Sequence, residues 1–319
     1  MCDLTRDEVD ELNAQVYPLI YPTIDEANMM RELMRQMYPD RFVTNRLYHF
    51  TKPSVVRYCL FKDSGDLRCT HVNELNDDFE WRKGLDYIRD YLRNQGNDEL
   101  ADEVDKLPEK MGCVPYVCSF SQYDDKASMW GMYGDRQSGG YALGFERAEL
   151  ERLVNAKNAQ TDDEYYLLPC LYSGVHDADV LLDHILNKCH VDEDEHLIRE
   201  GCENELPSRI LSRIFFLSLI IKDSSFDYEN EWRLVVRKNA SAPLQRGEGI
   251  FFGDVSKYVY SELFEGPVRN YFSRVAVSPC GDEDVRNDNY SKLLELRDFY
   301  GLHFEIVKSL SPYNGHDGN

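Results

Sequence analysis

Long apolar runs are missing from this sequence. The most apolar stretch, residues 214–221, is eight residues long and too short to cross a bilayer. Basic charge is also scarce, with 36 Lys and Arg against 58 Asp and Glu and a formal net charge of −22. Such a surface repels phosphate backbones and anionic lipid, which excludes broad nucleic-acid or membrane binding but still allows a focused site for one small phosphate ligand. The nine cysteines are odd in number and scattered, and no CxxC pair occurs among them. A disulfide framework and a zinc knuckle are both disfavoured by that spacing. There is no GxxxxGK[ST], no GxGxxG after a strand, no GxSxG and no HExxH. A conventional nucleotide triphosphatase, dehydrogenase, serine hydrolase or zinc protease is therefore not expected. No basic-then-apolar run follows Met1, so a cytoplasmic protein with free thiols is the expectation.

Aromatics make up 12 % of the 319 residues, more than a disordered chain carries. A chain of this length buries about three-quarters of its unfolded surface and needs no metal or disulfide to hold a core. The acidity is concentrated between Asp162 and Glu205, where thirteen acidic residues face only Lys188 and Arg199. That stretch reads as a solvated helical insertion, over about residues 160–222.

Residues 1–40 read as two short helices, the second carrying Met29, Met30, Leu33, Met34 and Met37 on one side. A methionine stripe at helical spacing is more often a core-facing side than a ligand groove. Arg46–Thr51 alternates as a strand, and Pro53 then opens a helix in its first turn. Further strands are expected at 67–72, 114–121, 140–145, 165–172, 231–236, 274–278 and 303–307. Helices are expected from about Phe79 to Arg93, over 126–135, 146–153 and 290–300, and through much of 176–222. Asp77 and Glu80 stand in capping-box register, while residues 96–110 read as a polar surface connection. Short strands and helices interleave irregularly. The fold class is α+β, a small split mainly antiparallel sheet flanked by helices, in one domain over 41–312 behind a helical segment at 1–40.

Four polar groupings lie on or beside strands. In Tyr48-His49-Phe50-Thr51, alternation puts His49 and Thr51 on one face and the two rings on the other. The everyday role of such a histidine is a core residue bonded to backbone. In Ser128-Met129-Trp130-Gly131-Met132-Tyr133-Gly134, Trp130 and Tyr133 share a helix side. Each glycine there weakens the helix by roughly 1 kcal/mol relative to Ala, so close packing or a ligand should compensate. In Lys222…Tyr228-Glu229-Asn230-Glu231-Trp232-Arg233, strand alternation would point Glu229, Glu231 and Arg233 to one face. That face is either a paired salt bridge or the lining of a cleft. Asn76-Asp77-Asp78-Phe79-Glu80 is best read as helix capping.

In this order, the Leu47–Thr51, Leu75–Glu80, Cys118–Ser121, Met129–Gly134, Gly140–Phe145 and Lys222–Leu234 motifs resemble the bacterial family catalogued as domain of unknown function 2971. The resemblance covers roughly residues 46–310. A deeper similarity is to ADP-ribosyltransferases, which present a His, an aromatic residue and a Glu around a split sheet. That resemblance implies an enzyme using NAD as substrate, possessed by toxins and phage-defence effectors, that transfers ADP-ribose to a macromolecular acceptor or hydrolyses NAD. It further implies Glu231, then Glu229, as the carboxylate that stabilises an oxocarbenium-like ribose. Tyr133 or Trp130 would stack on nicotinamide, His49 and Thr51 would bond a ribose, and Arg233 or Lys222 the pyrophosphate, with Ser121 in the same cleft. No metal is expected. Two other classes stay open, a nucleotide-sensing or partner-binding module without turnover and a metal-dependent nuclease built on Asp77, Glu80, Glu229 and Glu231 with Lys222 nearby.

Overall fold

The computed structural model describes residues 24–75, 80–107, 115–173, 176–187, 206–237, 258–279 and 282–311. The first expected helix, the capping residues 76–79 and the core of the acidic stretch, 188–205, lie outside the described residues. The chain divides into two compact units, each assembled from three segments: residues 1–39, 72–114 and 170–226 in the first, and 40–71, 115–169 and 227–319 in the second. This division differs from a single domain over 41–312, because residues 72–114 and 170–226 fold with the N-terminal segment.

The first unit is mostly helical. Helix Ile24–Met37 turns Met30 and Met34 into its core, as the methionine stripe leads one to expect. Helix Glu80–Asn94 buries Trp81, Leu85, Ile88 and Leu92, the spacing of one helical face. It packs on helix Leu206–Ser218, with Trp81 edge-on to Phe215 at 6.4 Å. At the crossing Gly84 lies so close that a Cβ would stand 2.3 Å from the Ser218 carbonyl oxygen. Asp98–Asp105 is a helix capped by Asn97, not the plain connection its polarity suggests; Ala101 and Val104 are its buried stripe. Two short parallel strands, Leu171–Tyr172 and Ile221–Lys222, close the unit.

The second unit is built on a nine-stranded sheet. Its strands are β1 (Arg46–Thr51), β2 (Arg68–His71), β3 (Tyr116–Ser121), β4 (Tyr141–Glu146), β5 (Glu164–Pro169), β6 (Glu231–Arg237), β7 (Tyr258–Tyr260), β8 (Phe272–Val277) and β9 (Glu305–Lys308). From β9 the order runs β8, β4, β1, β3, β2, β7, and β6 and then β5 extend from the other edge of β3. All pairings are antiparallel except β8 with β9. β5 falls inside the stretch expected to be a helical insertion, yet it is a member of this sheet.

The sheet is split at β3. One edge of β3 is shared, with β2 pairing at Tyr116 and Val117 and β1 at Ser121. Between these contacts the His49 ring spans the gap, its Nδ1 3.0 Å from the Ser119 carbonyl oxygen. A backbone carbonyl that loses its ladder partner needs another donor, and His49 supplies it. Residues directly opposed across a strand pair point to the same face. Tyr48, Phe50, Ser119, Ser121, Glu231 and Arg233 therefore share a first face. Leu47, His49, Thr51, Cys118, Phe120 and Trp232 share the second.

Both faces are covered. The helix Ala127–Tyr133 lies on the first face, where Met129 and Trp130 pack with Tyr48, Phe50, Ala142 and Ala276. Gly144 makes room for the Tyr48 ring, which a Cβ would approach to 2.7 Å. On the second face Phe120, Phe145 and Phe272 form a chain of edge-on rings at 5.8 and 5.5 Å. Double coverage explains why every residue from Glu231 to Val236 is buried and why polar side chains among them need partners.

Candidate functional site

The approach to β6 is a 3-10 turn, Ser224–Glu229, followed by Asn230 at φ 43°. This left-handed residue breaks the strand alternation that the sequence suggested, so Glu229 belongs to the turn and not to the strand. Four contacts hold Asn230 in place. Its amide donates to the Asp227 carbonyl at 3.1 Å, and its carbonyl accepts from the Gln122 amide at 3.2 Å. Its side-chain oxygen accepts from Arg41, and its side-chain nitrogen donates to Gln122 Oε1 at 2.7 Å. Asn is among the few residues that tolerate this conformation.

The turn delivers Glu229 into the interior, where it is 2 % exposed. Tyr133 donates its hydroxyl to Glu229 Oε1 at 3.0 Å, and Ser121 Oγ donates to the Glu229 carbonyl at 2.6 Å. Glu231, the first residue of β6, is 3 % exposed and forms a two-pronged salt bridge with Arg233. Arg233 Nε reaches Oε1 at 3.0 Å and Nη2 reaches Oε2 at 3.2 Å. Tyr48, Ser121 and Glu231 stand in line across β1, β3 and β6. Burial pushes the Tyr48 phenol above its ordinary pKa, and the Asp124 carboxylate adds to the shift. Tyr48 is therefore a neutral donor at neutral pH.

Trp130 is held edge-on to Phe50 at 4.8 Å and donates its indole N–H to Asp125 at 2.8 Å. The same carboxylate accepts the Ser309 hydroxyl and the amides of Leu310 and Ser311. The helix bearing Trp130 and Tyr133 is thus tied to the end of β9. Outside the cluster lies a rim. The Lys126 ammonium sits 4.3 Å from the centroid of the exposed Tyr123 ring and donates to the Tyr228 carbonyl at 2.6 Å. The Tyr228 hydroxyl lies 2.8 Å from the sulfur of the exposed Met132.

Of the residues expected to form a site, Ser121, Trp130, Tyr133, Glu229, Glu231 and Arg233 meet on or against the first face. His49 and Thr51 do not. They project from the second face, because β1 registers on β3 through Tyr48. His49 there contacts Ser119, Cys118 and the edge of Phe120, and its backbone-bonded core role is the one these contacts describe. Arg233 is engaged by Glu231 and does not extend a free guanidinium. Lys222 belongs to the first unit, where its ammonium lies 4.7 Å from the centroid of the Phe226 ring. Tyr48, Lys126 and Asn230 were not singled out by sequence; only the register across three strands reveals Tyr48. Among the described residues, no group of three or more His, Cys, Asp or Glu is placed to hold a metal ion. Asp77 and the Glu80 side chain of the nuclease set lie outside the described residues.

The second unit is thus an α+β fold whose central strands, buried on both faces, carry Glu231, Arg233 and Tyr48 beside a sheet split, with Glu229 delivered by the turn ahead of β6. Residues 129–234 match the model of the family described as Protein of unknown function (DUF2971). That span runs from the aromatic helix to β6 and includes Trp130, Tyr133, Glu229, Glu231 and Arg233. No curated protein and no solved structure matches the chain. Among the described residues no helix is long and apolar enough to cross a membrane.

Proposed function

We propose that the first-face cluster is a nucleotide site at which the nicotinamide–ribose bond of NAD is broken, in the manner of an ADP-ribosyltransferase. The observation that carries this reading is the buried pair Glu229 and Glu231, one bonded by Tyr133 and the other by Arg233. Bond cleavage places positive charge on the ribose, and a preorganised carboxylate in a water-poor setting stabilises that charge more than it stabilises the ground state. Glu231 takes that role and Glu229 the neighbouring one. Tyr133 is the aromatic beside nicotinamide, and Tyr48 and Ser121 are the ribose-side hydroxyls, in place of His49 and Thr51. The acceptor of ADP-ribose is a macromolecule or water, and a toxin or defence effector is the setting such chemistry suits.

The test is nicotinamide release from NAD by the full chain. Glu231→Gln should lower the rate about 10²–10³-fold while NAD still raises the melting temperature of the variant. If the wild type releases no nicotinamide with water, protein or nucleic acid as acceptor, the transferase reading falls. A second reading is favoured by one observation: Glu231 and Arg233 are bound to each other in a buried two-pronged salt bridge, as in a closed binding module. In that case NAD or another nucleotide raises the melting temperature without turnover.

A further inference from the structure

The second face of the split holds a grouping that the proposed site leaves unused. Thr70 opposes Val117, and His71 opposes Tyr116, across β2 and β3. One step further along the same register stand Cys69 and Cys118, at the point where the two strands part. Cross-strand neighbours of this kind have Cβ atoms about 4.5–5.5 Å apart, within a small adjustment of the 3.5–4.5 Å a disulfide spans. Neither is in a disulfide, and they are 0 % and 2 % exposed. Such burial favours a small oxidant over a bulky one.

His49 faces the pair. Its Nδ1 lies 3.0 Å from the Ser119 carbonyl and 3.7 Å from Cys118 Sγ. A carbonyl only accepts, so Nδ1 carries the proton, and the Cys118 sulfur is the second neighbour of that nitrogen. A donor in that position favours thiolate over thiol. The thiol hydrogen bond from Cys69 lowers the Cys118 pKa, His49 lowers it further, and burial opposes them without cancelling the shift. Burial also pulls His49 down, but its contacts with Cys118 and Ser119 leave it raised. The other groups facing the pair are Asp66, ahead of β2, which opposes the Cys118 shift, and Tyr165 of β5, which faces Cys69. Leu234 of β6, in register with Cys118, is apolar.

We propose that Cys69 and Cys118 are an oxidisable dithiol, converted by hydrogen peroxide to a cross-strand disulfide that pins β2 to β3 at the split, with His49 holding the reactive Cys118 sulfur. The Cys118 thiolate attacks one peroxide oxygen, the O–O bond breaks, and the departing hydroxide takes up a proton to leave as water. Cys69 sulfur then attacks the sulfenic sulfur of Cys118, the S–OH bond breaks, and the hydroxyl leaves as water with the Cys69 proton. Two thiols and one peroxide become one disulfide and two waters.

The test treats the reduced, full-length protein with a small excess of hydrogen peroxide under native conditions, then alkylates it in denaturant and maps the peptides by mass spectrometry. The expected result is a single disulfide joining the Cys69 and Cys118 peptides, lost on treatment with dithiothreitol. Cys69→Ser should instead accumulate sulfenic and sulfinic acid at Cys118. His49→Gln should slow disulfide formation about tenfold at pH 7 and recover the rate at higher pH, where the thiolate forms unaided. Should that variant fold poorly, the wild-type map decides by itself. Cys69 and Cys118 both surviving as thiols while other cysteines oxidise, or each pairing elsewhere, overturns the proposal.

Discussion

Glu231 and Arg233 sit two positions apart on one strand and are each 3 % or less exposed. Desolvating two charges is costly, and their geometry recovers the cost only while both are present. Arg233→Leu should therefore destabilise by about 3–5 kcal/mol in urea unfolding, because it removes the two-pronged partner of the buried Glu231 carboxylate. Replacing both with Leu should cost far less, within about 1–2 kcal/mol of wild type, since apolar residues of similar volume fit a double-covered strand. If the double variant is as unstable as the single, the salt bridge is contributing more than charge balance. Asn230 offers a second reading of the same turn. Asn230→Val should cost about 1–3 kcal/mol by forcing a β-branched residue to positive φ, whereas Asn230→Gly should lose only the side-chain bonds to Arg41 and Gln122; thermal melts of the pair separate strain from bonding. The sequence made Glu231 and Arg233 visible as charges on a strand that needed partners. It also separated Tyr48 from His49 by face. What it could not say was which of those faces meets Glu231, because that depends on Tyr48 opposing Ser121, a pairing between residues far apart in the chain.

At the level of elements, Gly84 in helix Glu80–Asn94 provides a sharp test. Alanine is the better helix former by about 1 kcal/mol, so propensity alone forecasts a more stable Gly84→Ala variant. The Ser218 carbonyl, 2.3 Å from where the new Cβ would stand, forecasts the opposite. Packing should win, with a loss of about 1–3 kcal/mol and a lower melting temperature. The tie between Asp125 and the end of β9 makes another forecast. Asp125→Ala removes the acceptor for Trp130, Ser309, Leu310 and Ser311, so the Leu310 and Ser311 amides should exchange hydrogen markedly faster while those of β4 are unchanged. Unchanged exchange at Leu310 would show that the β9 end is held by other contacts. Elements with local patterns were legible: Arg46–Thr51 alternates, and Pro53 stands first in its helix after Lys52. β7, a strand of three residues, Tyr258–Tyr260, is too short to show a period in the sequence. β5 has the pattern of a strand inside a stretch whose acidity suggests an insertion, and only pairing with β6 makes it a sheet member.

For the whole molecule, the α+β class was legible and the two-unit division was not, because the units interleave along the chain and no linker composition marks their boundaries. The interleaving has a consequence for how the protein is made. The first unit has all its segments once residue 226 is complete, whereas the second still lacks β6, β7, β8 and β9 at that point. A fragment ending at residue 226 should therefore protect helices Glu80–Asn94 and Leu206–Ser218 from pulse proteolysis and leave β1, β3 and β4 open to cleavage. Equal protection throughout would show that the early strands hold without β6. During synthesis at about 5–20 residues per second, Ser121 waits roughly 5–20 s for Glu231 to emerge. Through that interval β3, later a fully covered central strand, presents an unpaired edge to solvent or to any neighbouring nascent chain. The split strand is thus open along one edge while the chain is being born, and slowing translation between residues 121 and 231 should shift the yield from folded protein toward aggregate.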